Sequence, residues 1–309
     1  VADTLDLGEA RLVLDAQARL GECPLWSITE QVLYWVDISA RRIHRFDPAG
    51  ATDRHWVMPG EPGCIALASA GGLVAALRDG FYRLDTDGGA LRKIADAPSP
   101  PYDPATMRFN DGRCDAAGRF WAGAMFEPRT SEAAGVFVLE RGCVREGWGP
   151  AQGAGVKVSN GMAFTVDGKF VHQSDTPNHV IYRFPFDEAN GKVGPREVFA
   201  RCAADRTDPD YGGRPDGAAI DSEGNYWSAQ YEGGRVLRFS ADGAVTGVVR
   251  VPARRTTMIA FGGPQLKTLY ITTAREGAGA EELAIQPHAG GIFAIELDTA
   301  GRAEPQYID

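Results

Sequence analysis

The chain has 309 residues, and its 32 Lys+Arg against 41 Asp+Glu leave a formal net charge of −9. That balance argues against a nucleic-acid or anionic-membrane partner, since both need a concentrated basic surface. With 44% hydrophobic and 24% charged residues the composition is that of a globular protein with a large core, and 38 glycines with 19 prolines point to many short elements joined by turns.

The N-terminus, VADTLDLGEARLVLD, lacks the basic start and apolar core of a signal peptide. No uncharged apolar run reaches the roughly 18 residues of a membrane span. The longest, Cys64 to Leu77, is broken by Gly71-Gly72 and reads as two buried strands joined by a tight turn. Cys23, Cys64, Cys114, Cys143 and Cys202 are an odd number without a C-x-x-C pair. They argue against a disulfide framework or a thiolate zinc site, and the expected compartment is the reducing cytoplasm.

A repeating unit runs along the chain. One apolar run rich in β-branched and aromatic residues recurs as LYWVD (33–37), LVAAL (73–77), FWAGAM (120–125), FVHQSD (170–175), YWSAQY (226–231) and LYITTA (269–274). Each is followed by a second: IHRFD (43–47), FYRLD (81–85), VFVLE (136–140), IYRFPFD (181–187), VLRFS (236–240) and IFAIELD (292–298). Runs of this length between D-G, N-G and G-G turns are strand and hairpin signals, and no convincing helical period spans about twelve residues or more. DTDGG (85–89) lacks the later ligands of an EF-hand and reads as a hairpin turn. Six units with room for four antiparallel strands each predict an all-β, six-bladed β-propeller spanning residues 1–309 as one domain. The strand RLVLD (11–15) is expected to join the last blade and close the ring.

Aligning the units on their first turn glycine exposes a polar position. Asn110 precedes Gly118 by eight residues, Asn160 precedes Gly168 by eight, and Asp216 precedes Gly224 by eight. This point is expected in the loop entering the innermost strand, where equivalent positions of a closed ring converge on its axis. The first unit offers Glu22 there, the second Glu61, and the sixth Thr256 and Thr257. Glu22, Asn160 and Asp216, with Asn110 as a fourth candidate, are oxygen donors suited to a hard divalent cation such as Ca²⁺, Mg²⁺ or Mn²⁺. The competing reading is that Asn-Gly and Asp-Gly are simply turn residues. Three or four protein ligands would leave coordination positions for water and substrate, as a catalytic metal requires. Arg108 shares Asn110's side of an extended strand and suits an oxyanion. Elbow, zincin and nucleotide-loop motifs are absent. Of the histidines, His172 lies nearest the candidate site in the chain.

At GECPLW with YWVDI, RFNDG with GRFWAGAM, SNGMAF, and RPDGAAID followed by YW, the sequence resembles the regucalcin (senescence marker protein) and gluconolactonase family. The resemblance implies a six-bladed propeller that opens sugar lactones with one divalent metal, for which Ca²⁺, Mg²⁺, Mn²⁺, Zn²⁺ and Fe²⁺ are all candidates. It implies Glu22, Asn160 and Asp216 as metal ligands and Asp216 also as general base. It further implies Arg108 and Asn110 as lactone contacts, with Glu127 as the nearest candidate for an additional substrate-binding acid. The expected partner is a small sugar lactone, with no nucleic acid or membrane, and a monomer or small homo-oligomer. Two other classes stay open: an esterase or organophosphate hydrolase on the same ring, and a non-enzymatic calcium-binding propeller. The polar loops at 98–107 and 201–214 favour a polyhydroxylated substrate over the first of these.

Overall fold

The computed structural model describes residues 4–209 and 211–309; Asp210, within one of the loops named above, lies outside them. Six sheets follow one another around a ring, as the repeats predict. In the first, Gly21–Ser27, Val32–Asp37, Arg42–Asp47 and Thr52–Val57 pair in sequence order. The next four begin with the inner strands Pro62–Leu67, Met107–Cys114, Ser159–Phe164 and Arg214–Ile220. The apolar run at 64–77 is split between Pro62–Leu67 and Leu73–Leu77, paired antiparallel around Gly71-Gly72.

Two N-terminal strands do different work. Arg11–Leu14 pairs antiparallel with Ile292–Glu296 and supplies the fourth strand of the last sheet, outside Thr256–Gly262 and Thr268–Thr273. Leu5–Glu9, which the sequence reading did not single out, adds in parallel to Val245–Arg250 of the preceding sheet. One short segment therefore ties two neighbouring blades. The far end of the chain does the same elsewhere: Tyr307 bridges Ala68, Ile308 donates its N–H to Gly118 O, and Glu304 pairs with Arg113. Helix is confined, among the described residues, to Ala280–Ile285 and two 3₁₀ turns.

A local motif explains the hairpins of two blades. In DAAGRFW (115–121) and DSEGNYW (221–227) the aspartate accepts the N–H of the residue four places on, and also the indole Nε1–H six places on at 2.8 Å. Gly118 and Gly224, with φ of +81° and +88°, make the turn between. In the first blade of this pair Arg119 Nε adds a charged hydrogen bond of 2.6 Å, so a fully buried Asp115 is satisfied on every side. Trp121 and Trp227 are thereby fixed in the packing between blades.

Candidate functional site

Each of the six inner strands breaks register with its neighbour at the same height. The breaks fall at Glu22/Leu25, Pro62/Cys64, Phe109/Gly112, Asn160/Ala163, Pro215/Ala218 and Thr256/Met258. A β-bulge inserts a residue that the ladder leaves unpaired and re-aims its side chain. At or within these breaks stand Glu22, Gly63, Asn110, Asn160, Asp216 and Thr257. The polar residues therefore lie inside strands, not in the entering loops that the sequence predicts. Nor are Asn160-Gly161 and Asp216-Gly217 hairpin turns. Gly161 takes φ +59°, and a Cβ on Gly217 would fall 2.2 Å from Met258 Cγ, so the glycines let the bulged strands crowd the axis.

Glu22, Arg108, Asn110, Asn160 and Asp216 share one open cavity of about 690 Å³ at the mouth of the ring. A chain of hydrogen bonds spans three blades there. Arg108 Nη1 donates to Asn110 Oδ1 at 2.7 Å, which confirms that the two residues share a side of the strand. Asn110 Nδ2 donates to Asn160 Oδ1 at 2.6 Å and to Ser159 O, and Asn160 Nδ2 donates to Thr176 Oγ1 at 2.8 Å. Thr176 in turn donates to Pro215 O, beside Asp216. Both amide hydrogens of Asn110 are committed, while Asn160 Oδ1 keeps a second lone pair.

The two carboxylates are treated differently. Glu22 receives one long contact from Cys23 N at 3.4 Å, and Asp216 has no side-chain hydrogen bond among the described residues. Each is about 5% exposed, 6% for Glu22 and 4% for Asp216. Burial, then repulsion from Asp216 and Asp111, pushes the Glu22 carboxyl well above its usual range. Burial, then Asp111, does the same to Asp216, against weaker attraction from Arg214 and Arg108. Two buried carboxyls without a neutralising partner are costly unless a cation arrives. No group of three or more His, Cys, Asp or Glu side chains is placed to hold a metal ion among the described residues. The donor set is instead two carboxylates and an amide oxygen, which fits a hard dication with open positions.

Around this centre the rim is built of paired charges. Arg78 grips Glu127 with both terminal nitrogens at 3.0 and 2.8 Å and Glu61 through Nε at 3.0 Å. Glu127 thus lines the cavity as the partner of Arg78, which holds its carboxyl below the usual range. Arg19 pairs with Glu276, Arg214 with Glu232, and Arg255 with Glu282. Arg214 stands two residues before Asp216 as Arg108 stands two before Asn110, a recurrence visible in the sequence. Nothing local announces Arg78, whose partners are 17 and 49 residues away. Thr256 and Thr257 are fully buried and do not line the cavity; Thr257 Oγ1 bonds Gly21 O at 2.5 Å.

The loops at 98–107 and 201–214 supply little of the polar lining. Among their described residues only Arg214 reaches the cavity, and Tyr102 is a core residue stacked on Phe109, its hydroxyl bonded to Arg78 O. The polarity comes from the ends of the inner strands. His172 is also excluded from the cavity. It is held between Phe199 and Tyr226 at 4.6 and 4.8 Å, and burial, then Arg183, pushes its pKa down to about 3. All five cysteines are free.

Three comparisons bear on this architecture. The chain is 46% identical over 288 residues to a 6-deoxy-6-sulfogluconolactonase of Pseudomonas putida, covering 93% of this chain and 94% of the relative. It is 36% identical to a pentonolactonase of Haloferax volcanii, over 94% and 96% of the two chains. The solved structure of a calcium-binding protein, regucalcin, from Agrobacterium tumefaciens superimposes with a TM-score of 0.89 at 27% identity, covering 98% and 99%. Residues 20–275, which carry all six inner strands, match the family described as SMP-30/Gluconolactonase/LRE-like region, and the chain belongs to that family.

Proposed function

We propose that the protein is a divalent-metal-dependent lactonase that opens aldonolactones to aldonic acids. The observation that carries this reading is the buried, un-neutralised pair Glu22 and Asp216 beside Asn160 in a polar cavity of about 690 Å³. The relatives named for gluconolactone-type and pentonolactone substrates support a five- or six-carbon lactone.

Glu22, Asn160 and Asp216 would hold the cation. When bound, it supplies Lewis-acid polarisation of the lactone carbonyl, acidification of water, and the positive charge that keeps both carboxylates ionised. Asp216 accepts the proton of the attacking water. Arg108, whose Nε and Nη2 have no partner among the described residues, donates to the tetrahedral oxyanion and then to the new carboxylate. Asn110 fixes Arg108 and Asn160 relative to each other. Water adds across the acyl C–O bond, the ring oxygen leaves as a hydroxyl, and the acid formed releases a proton.

The test follows that proton release on five- and six-membered aldonolactones after chelation, with single divalent metals added back. Metal-restored opening of at least one lactone is expected. Stoichiometric cation binding with no hydrolysis of any lactone would overturn the reading in favour of a binding propeller.

A further inference from the structure

The bulges that bring Asn160 and Asp216 to the axis interrupt the ladders of their blades, and the third blade supplies partners for the backbone there. Met162 lies inside the break of the fourth blade, two residues past Asn160. Its N–H donates to Asp111 Oδ2 at 2.8 Å, and its carbonyl accepts Arg113 Nε at 3.0 Å. The same guanidinium reaches the fifth blade. There Nη2 donates at 2.6 Å to the carbonyl of Ala218, two residues past Asp216 and the point at which that ladder resumes. The remaining nitrogen, Nη1, is held by the carboxylate of Glu304. One planar fork therefore ties the inner strands of three blades, with each nitrogen committed to a different chain segment.

Neither Arg113 nor Glu304 lines the cavity that holds Glu22, Asn160 and Asp216. Both line two smaller cavities that share no residue with it. The Arg113 side chain is 9% exposed and that of Glu304 15%, so water is poorly placed to replace a bond that is lost. A metal centre needs its ligands held to within about 0.5 Å, and the groups behind the ligands carry that constraint.

We propose that Arg113 and Glu304 are positioning residues for the metal centre: the Glu304 carboxylate orients the guanidinium, and the guanidinium sets the separation of Asn160 from Asp216. This rests on the metal-dependent reading above. Lysine at 113 keeps the charge but not the fork, since an ammonium has no fixed plane to span three partners. Glutamine at 304 keeps an acceptor for Nη1, whereas alanine removes it.

The experiment titrates the chelated protein with Mn²⁺ and with Ca²⁺ by calorimetry, in wild type, Arg113→Lys, Glu304→Ala and Glu304→Gln. Urea unfolding establishes that each variant is folded at the titration temperature. Arg113→Lys and Glu304→Ala should weaken binding of both cations by about ten-fold or more, the usual range for partners behind metal ligands. Glu304→Gln should recover most of that affinity. At saturating metal the two weakened variants should lose kcat on an aldonolactone with KM little changed, because neither residue reaches the substrate. Folded variants that lose stability yet bind both cations as tightly as wild type would overturn the proposal and leave a purely structural pair. Should Arg113→Lys fail to fold, the two Glu304 variants decide the question by themselves. Cation binding without lactone hydrolysis in the wild type would remove the lactonase reading but not this inference, and a wild type that binds neither cation would remove both.

Discussion

His172 places a measurable liability in the core of the fourth blade. Its ring is 3% exposed, packed between Phe199 and Tyr226, and the best contact of its nitrogens is a weak one to the backbone at Ala163. The folded pKa of about 3 lies below the ordinary value of 6.5. The unfolded chain therefore binds the additional proton between those limits, so the contribution is intact above the unfolded pKa and is lost as pH falls towards 3. At about pH 5 the gap to the unfolded pKa is about 1.5 units, which at about 1.36 kcal/mol per unit costs about 2 kcal/mol relative to about pH 7.5. Replacing the ring by phenylalanine removes that titration, while any packing penalty is independent of pH. Urea unfolding followed by the fluorescence of the six tryptophans, at both pH values, measures the two variants side by side. The stability of His172→Phe relative to wild type should improve by about 2 kcal/mol from about pH 7.5 to about pH 5. A relative stability unchanged within about 0.5 kcal/mol would refute a buried neutral histidine and imply that the ring protonates in the folded protein.

The remaining predictions concern the site and its scaffold. Asp216→Asn should abolish turnover even at saturating metal, and normal turnover in that variant would sink its assignment as base. Arg108→Ala should raise KM and also lower kcat, since its free donors face both bound lactone and developing charge; unchanged values of both would remove it from the site. Asp115→Ala should cost about 3–5 kcal/mol in urea unfolding, because it leaves Arg119 buried without its partner, and a loss under about 1 kcal/mol would show that the pair is not buried as described.

Much of this architecture was legible because a propeller repeats a local pattern. The twelve runs read from the sequence correspond to the second and third strands of the six blades, since apolar β-branched segments between turns fold the same way wherever they recur. The eight-residue offset before each turn glycine likewise located Asn110, Asn160 and Asp216 at one height on the axis. Their local setting was misjudged: N-G and D-G are ordinarily turn dipeptides, and only the crowding of six strands at the axis makes them bulges. The loops at 98–107 and 201–214 misled for a related reason. Their composition is polar, but Tyr102 is spent on packing against Phe109.

The six-blade repeat and the convergence of Glu22, Asn110, Asn160 and Asp216 on one cavity were therefore legible in the sequence alone, through short-range periodicity and composition. Which charges are committed and which are free was decided only by the tertiary structure. Arg78 finds Glu127 across 49 residues and Arg113 finds Glu304 across 191. Closing the ring brings those chain segments within the reach of one side chain. No local pattern records that distance, so neither the commitment of Glu127 nor that of Arg113 could be read before the blades were assembled.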